Sequence, residues 1–456
     1  MKAVKVILVV VAVLIGLVIL TVCAGIFFTN RYLQTAAFKE SVLKSAHDEL
    51  GADVRIDELH ASLFSGVELR GVTIGNPPGF TGNMVTAEAF VLRYRLWPLL
   101  SRRVEIEQLS LDKPVITLAR GDKGDWNYEK FGAKEAKETE AKPGSAAAQP
   151  AAPAKPAGAT SLDVVLSKLA IANGTVSMVS EKNEPLVTLG GINFSSSVSL
   201  IDNKLAGNGK AGIDKINLSN QLMVEKVGTP VMFDSDQVKL SALSGTLAKG
   251  ALTGDVALKI SEGFQYTVNL QVKDCDIATF FQDAGKKQVL SGTLKANVAL
   301  TGTGGLPTII GNGRAEIDNG QLMEIPLVNL LATILQIDAL RELKFSECLV
   351  EFSISNNVMQ TPVIRLTSPG IQITGKGSVA LDTHALNHNM TLTFPKGALD
   401  RSPVEILNLF VAQPDGSLAL NFKVTGTYDH PKTDLGKSVL KGIGQQLLEQ
   451  GQKFLK

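Results

Sequence analysis

Between Phe264 and Lys273 the chain alternates strictly. Phe264, Tyr266, Val268, Leu270 and Val272 are apolar; Gln265, Thr267, Asn269, Gln271 and Lys273 are polar. A period of two belongs to an extended strand with one dry and one wet face, and it is incompatible with a helix. The pattern recurs in Leu294, Ala296, Val298 and Leu300, in Ile371 with Ile373, in Val379 with Leu381, in Met390, Leu392 and Phe394, and in Leu418, Leu420, Phe422 and Val424. Nearer the start, Val54 and Ile56 alternate with charge, Val67 and Leu69 follow Gly66, and Val72 and Ile74 follow Gly71. Ala87–Leu96, Val104–Leu111 and Val115–Leu118 read as further strands. Strands of this kind form an antiparallel sheet covered on one side. The 42 glycines, set against only 5% aromatic residues, indicate many turns and an all-β body. Asn76-Pro77-Pro78-Gly79 is one such turn. The steps Gly245-Thr246, Gly292-Thr293, Thr301-Gly302, Thr374-Gly375 and Gly426-Thr427 are expected between strands.

Helices are few. Val6–Phe28 is an uncharged apolar run of 23 residues, about 35 Å as a helix and enough to cross a hydrocarbon core of about 30 Å. A cleaved signal peptide is the alternative, with Val22-Cys23-Ala24 as its cleavage site. The apolar run is long for a signal and continues past that site, so an uncleaved anchor is preferred. Lys2 and Lys5 precede it, which keeps the start in the cytoplasm and exports the remainder. A helix is expected to continue over Thr29–Leu50 and stop at Gly51. Short helices are expected at Leu162–Leu169 and at Ser402–Phe410, where Ser402 caps and Pro403 opens the first turn. Ile325–Arg341 reads as a buried or sheet-covering helix. Leu435–Lys456 is basic and amphipathic, suited either to an anionic membrane surface or to the end of the sheet. Residues 132–160, rich in Ala, Pro, Lys and Glu, form a linker without periodicity.

Chemistry is hard to find. With 45 basic and 44 acidic residues, no field draws in nucleic acid. His384 and His388 have an H-x3-H spacing but fall in a turn between strands, with no clustered third ligand. There is neither a G-x-S-x-G elbow nor a P-loop, and Thr301-Gly302-Thr303-Gly304-Gly305 reads as a turn. Cys275 and Cys348 allow either one disulfide or, preferred, two isolated buried thiols. No enzyme activity, cofactor or metal is expected. What remains is an apolar sheet face that needs covering, by a second sheet in a sandwich or by a ligand in a trough. Acyl chains suit such a trough, because each buried methylene contributes about 0.8 kcal/mol.

Several stretches carry a resemblance. Gly51–Ile56, Ser62–Leu69, Gly71–Phe80, Leu96–Leu100, Pro114–Ile116 and Gly124–Asn127 resemble the amino-terminal region of the AsmA family. Gly311–Leu322 with Ile325-Pro326-Leu327, and Gly426–Lys432, are similar to the family's carboxy-terminal region. The resemblance implies a mainly β protein of the Gram-negative inner membrane: a single-pass anchor, then a long curled antiparallel sheet forming a groove in the periplasm. It also implies phospholipid as cargo and transport toward the outer membrane, with an envelope protein as a further partner. The runner-up is a non-enzymatic envelope assembly factor with a filled sandwich. On the groove reading, the lining residues are Val67, Leu69, Val72, Ile74, Phe264, Tyr266, Val268, Leu270, Leu294, Val298, Leu300, Leu392, Leu420 and Phe422. Some 18 to 22 strands at about 4.8 Å each would give about 90–105 Å, which fits a bridge, a shuttle or half of a relay. The expected organisation is anchor and helix over 1–50, a β region over 51–131, the linker, a β-groove region over 161–434, and the basic helix over 435–456.

Overall fold

The computed structural model describes residues 35–62, 66–95, 98, 103–122, 124–130, 163–219, 222–261, 263–304, 306–323, 342–400, 407, 410–427 and 430–434. The expected anchor, the linker and the helices at 325–341 and 435–456 lie outside these residues, as does most of 402–410. No helix of the described residues is long and apolar enough to cross a membrane. Strands dominate: twenty-one of them form one mixed sheet, accompanied by two α-helices among the described residues. The chain divides into two compact units, Met1–Ser219 with Pro230–Asp236, and Asn220–Thr229 with Gln237–Lys456.

Unit one opens with α1 (Ala36–Leu50). The Thr35 hydroxyl accepts from the Phe38 amide at 3.3 Å, and Gly51, at φ +65°, ends the helix by donating to the His47 carbonyl at 2.8 Å. The stop read at Gly51 is therefore correct. Strands β1 (Val54–Ser62), β2 (Gly66–Gly75) and β3 (Asn83–Arg95) form an antiparallel meander. In β2 the buried side chains are Val67 and Leu69, then Val72 and Ile74. The three-residue step falls at Gly71, whose φ of +60° resets the alternation so that both pairs face the same way. The Asp57 carboxyl group fills the space that a side chain at 71 would need.

β4 (Arg103–Asp112) and β5 (Val115–Ala119) both pair with β3, and both lie parallel to β6 (Asp163–Val179). This corrects two expectations. The sheet is mixed rather than antiparallel, and Leu162–Leu169 is not helical, because from Asp163 onward it belongs to β6. The β-branched pair Val164-Val165 favours an extended chain, and the open edge of β4 supplies backbone partners that a lone helical turn lacks. β7 (Pro185–Ile201) and β8 (Lys204–Leu218) follow antiparallel, and β9 (Leu222–Asp234) is divided between the two units.

Parallel pairing sets a length requirement on the connection. Asn127 lies beside Thr117, level with Ser177, whereas Asp163 pairs with Arg103 at the opposite end of β6. Fourteen residue steps along a strand span about 46 Å. Deleting ten residues within 131–162 is expected to leave the fold intact. Deleting twenty-four leaves eight, which reach at most about 29 Å, so the β4–β6 pairing should be lost and limited proteolysis should cut within β6.

Unit two holds β10 (Gln237–Leu247), β11 (Gly250–Lys259), β12 (Gln265–Asp276), α2 (Ile277–Asp283), β13 (Leu290–Thr303), β14 (Ile310–Met323), β15 (Glu342–Ser355), β16 (Val358–Ser368), β17 (Ile371–Ala380) and β18 (Leu386–Phe394). Consecutive strands pair antiparallel from β10 to β18. Then β18 pairs with β20 (Leu418–Gly426), which also takes the short β19 (Val411–Ala412) and β21 (Pro431–Thr433). The Gly-Thr steps expected between strands instead lie within or at the end of β10, β13, β17 and β20.

Candidate functional site

Strand register aligns the apolar side chains of unit two in rows. One runs Val268–Leu300–Gly311–Ile354, the next Leu270–Val298–Gly313–Phe352, and a third Val272–Ala296–Ala315–Val350. Every member is only half-buried. In a sandwich these positions would lie among the fully buried residues, so among the described residues no second sheet packs on the face over β12–β15. The opposite face is charged, with ion pairs between neighbouring strands from Lys295 to Asp318 (2.6 Å) and from Arg314 to Glu351 (3.4 Å). A depression of about 620 Å³ is walled by Asn269, Gln271, Asn297 and Asn312, with Leu270 and Val298 of the apolar rows also lining it. By strand alternation Asn269, Gln271, Asn297 and Asn312 belong to the polar face, so most of the depression's lining is on that side.

Farther along unit two the apolar face is covered. Leu392 and Leu420 join a core with Phe394, Leu399 and Phe410, and the rings of Phe394 and Phe410 meet edge to face at 5.7 Å. Phe422 packs at its margin. In unit one, Val67, Leu69 and Val72 lie in a core with Phe38, against which Val42 and Leu43 of α1 also pack, and Ile74 lies in a neighbouring core with Leu50 and Met84. Among the fourteen expected lining residues, therefore, Tyr266, Val268, Leu270, Leu294, Val298 and Leu300 occupy the half-buried stretch. Phe264 is not on the strand face. It sits before β12 at φ +63°, where the preceding turn breaks the alternation.

The AsmA family model matches residues 1–211 and 196–364. The chain belongs to the AsmA family. No curated protein and no solved structure matches it.

Two stretches that carry the likeness to the AsmA family meet in unit one. Asn127 is fully buried; its amide nitrogen donates to the Asn76 side chain and to the Thr117 carbonyl, each at 2.8 Å, and its oxygen accepts from the Ala119 amide at 3.1 Å. Asn76 in turn donates to the Thr81 carbonyl at 2.7 Å. Lys130 lies over the Phe80 ring at 4.9 Å and pairs with Asp125 at 2.8 Å. The motif residues thus clasp two loops to β5.

Among the described residues, no group of three His, Cys, Asp or Glu is placed to hold a metal. His384 is in the turn at φ +60°, whereas His388 lies in β18. The buried His388 ring crosses Gly377, its register neighbour, and its Nε2 lies 2.9 Å from the Thr361 hydroxyl. Burial holds its pKa below the usual imidazole value. Above about pH 6.5 both folded and unfolded chains carry a neutral ring. As the pH falls further the unfolded chain takes the proton first, so stability declines until the folded pKa is passed. Melting curves should therefore show the native protein losing stability relative to His388→Gln as the pH falls below about 6.5. Parallel declines for the two proteins would contradict this.

Cys275 and Cys348 are free thiols. Their register runs Cys275–Leu294–Ile317–Cys348, three strand spacings or about 14 Å, too far for a disulfide. Burial, reinforced by Asp276 and Asp283, pushes the Cys275 thiol up to about 11 and keeps it protonated.

Proposed function

We propose that this AsmA-family protein is a non-catalytic lipid carrier that holds phospholipid acyl chains on the open face of β12–β15. The observation that carries the reading is the set of half-buried rows through Val268, Leu270 and Val272, dry in composition yet without a partner sheet packed on them among the described residues. An apolar face of several strands left to water is costly, and a chain of methylenes removes that cost without demanding specific hydrogen bonds. The half-buried state of these rows favours this reading over a filled sandwich. The uncharged run Val6–Phe28 is proposed as the inner-membrane anchor, with the start of the chain in the cytoplasm, the body in the periplasm and the outer membrane as destination.

The test uses the full-length protein in its membrane. Photo-crosslinking residues at Val268, Leu270 and Val298 should give phospholipid adducts, while the same probe at Asn269 or Gln271 on the polar face should give few. Equal labelling from both faces, or none from the apolar one, would refute lipid carriage.

A further inference from the structure

The glycines of β13, β14 and β17 need an explanation that turns do not supply. Gly302, Gly311, Gly313, Gly375 and Gly377 lie inside strands, outside the left-handed region where only glycine is comfortable. Any L-residue could adopt these backbones, and glycine weakens a strand. All five face the apolar side, and each is covered by the side chain of its register partner. Tyr266 lies over Gly302, Leu300 over Gly311, Phe352 over Gly313, Met390 over Gly375 and His388 over Gly377. A Cβ at 302 would meet Tyr266 Cζ at 2.7 Å, and one at 313 would meet Phe352 Cε1 at 2.8 Å. Backbone carbonyls crowd some of these sites too, that of Asn297 lying 2.6 Å from a Cβ at 313.

On an ordinary strand face side chains stand roughly perpendicular to the sheet. Here the missing Cβ lets the facing side chain lean sideways across its neighbouring strand. We propose that these glycine–large pairs, above all Gly313–Phe352 and Gly302–Tyr266, determine the clearance above the apolar face and so its capacity for an extended acyl chain. The glycines act by positioning the rings. With Ala at 313 the Phe352 ring must rise into the space the chain would occupy. The inference rests on the lipid-carrier reading and adds which residues set the dimensions of its site.

The experiment places the photo-crosslinker at Leu270, the register neighbour of Val298, in full-length protein in its membrane. Gly313→Ala is expected to reduce phospholipid adducts about ten-fold, and Gly313→Ala with Phe352→Ala to restore them, because the double variant removes the ring that was raised. Phe352→Ala alone should give more adducts than the native chain, because the ring that bounds the clearance is gone. This third arm decides the matter if Gly313→Ala fails to fold. Undiminished adducts in a folded Gly313→Ala protein, no recovery in a folded double variant, or no gain of adducts in folded Phe352→Ala each overturn the inference while leaving lipid carriage standing. Absence of adducts in the native protein removes both.

Discussion

Val298→Asp is expected to leave the fold of unit two intact and abolish most lipid capture, whereas Leu392→Asp should unfold that unit. Both positions carry apolar residues of one sheet face, and sequence pattern alone treats them alike. Val298 is half-buried in the uncovered rows, so a carboxylate there keeps contact with water and costs about 1 kcal/mol or less. Leu392 is 3% exposed, beneath a core that includes Phe394 and Phe410. An unpaired charge there costs several kcal/mol, against a total domain stability of about 5–15 kcal/mol. Chemical denaturation of the two variants, alongside lipid adduct yield, separates the outcomes. Equal destabilisation by both would mean that the face around Val298 is packed, and the carrier reading would fall with it.

The second large effect concerns Asn127. Replacing it with Ala removes three hydrogen bonds and leaves the Thr117 carbonyl and the Ala119 amide without the partner they have in the fold. A buried polar group left unsatisfied costs about 1–3 kcal/mol, so a loss of about 2–4 kcal/mol is expected. Asn127→Asp should be no better, because a carboxylate can accept from Ala119 but cannot donate to Thr117 or Asn76. Urea denaturation of unit one provides the measurement. A change below about 1 kcal/mol would show that the motif residues serve something other than the clasp. The same reasoning explains why a stretch such as Gly124-Asp125-Trp126-Asn127 can identify a family without marking a site of chemistry: its asparagine satisfies loop and strand backbone that no neighbouring ladder reaches.

Local signals in the sequence carried real information. The alternation from Tyr266 to Val272 requires a strand with one dry face, and the same rule separates Val67 and Leu69 from Val72 and Ile74 around Gly71. Gly51 marks the end of α1 because its left-handed conformation is set by its own missing side chain and the helix before it. These features depend on residues adjacent in the chain. The parallel register of β6, by contrast, depends on an edge presented by residues some sixty positions earlier. Val164-Val165 favour extension but do not name a partner. Which stretches of the apolar face are closed was likewise decided by distant segments, α1 over Val67 and Leu69, and Leu399 with Phe410 over Leu392. The strand glycines read as turn residues for the same reason: a glycine's freedom is local, but the aromatic ring that lies across it comes from the neighbouring strand. Periodicity determined that there would be a dry face; only tertiary packing decided where it stays open.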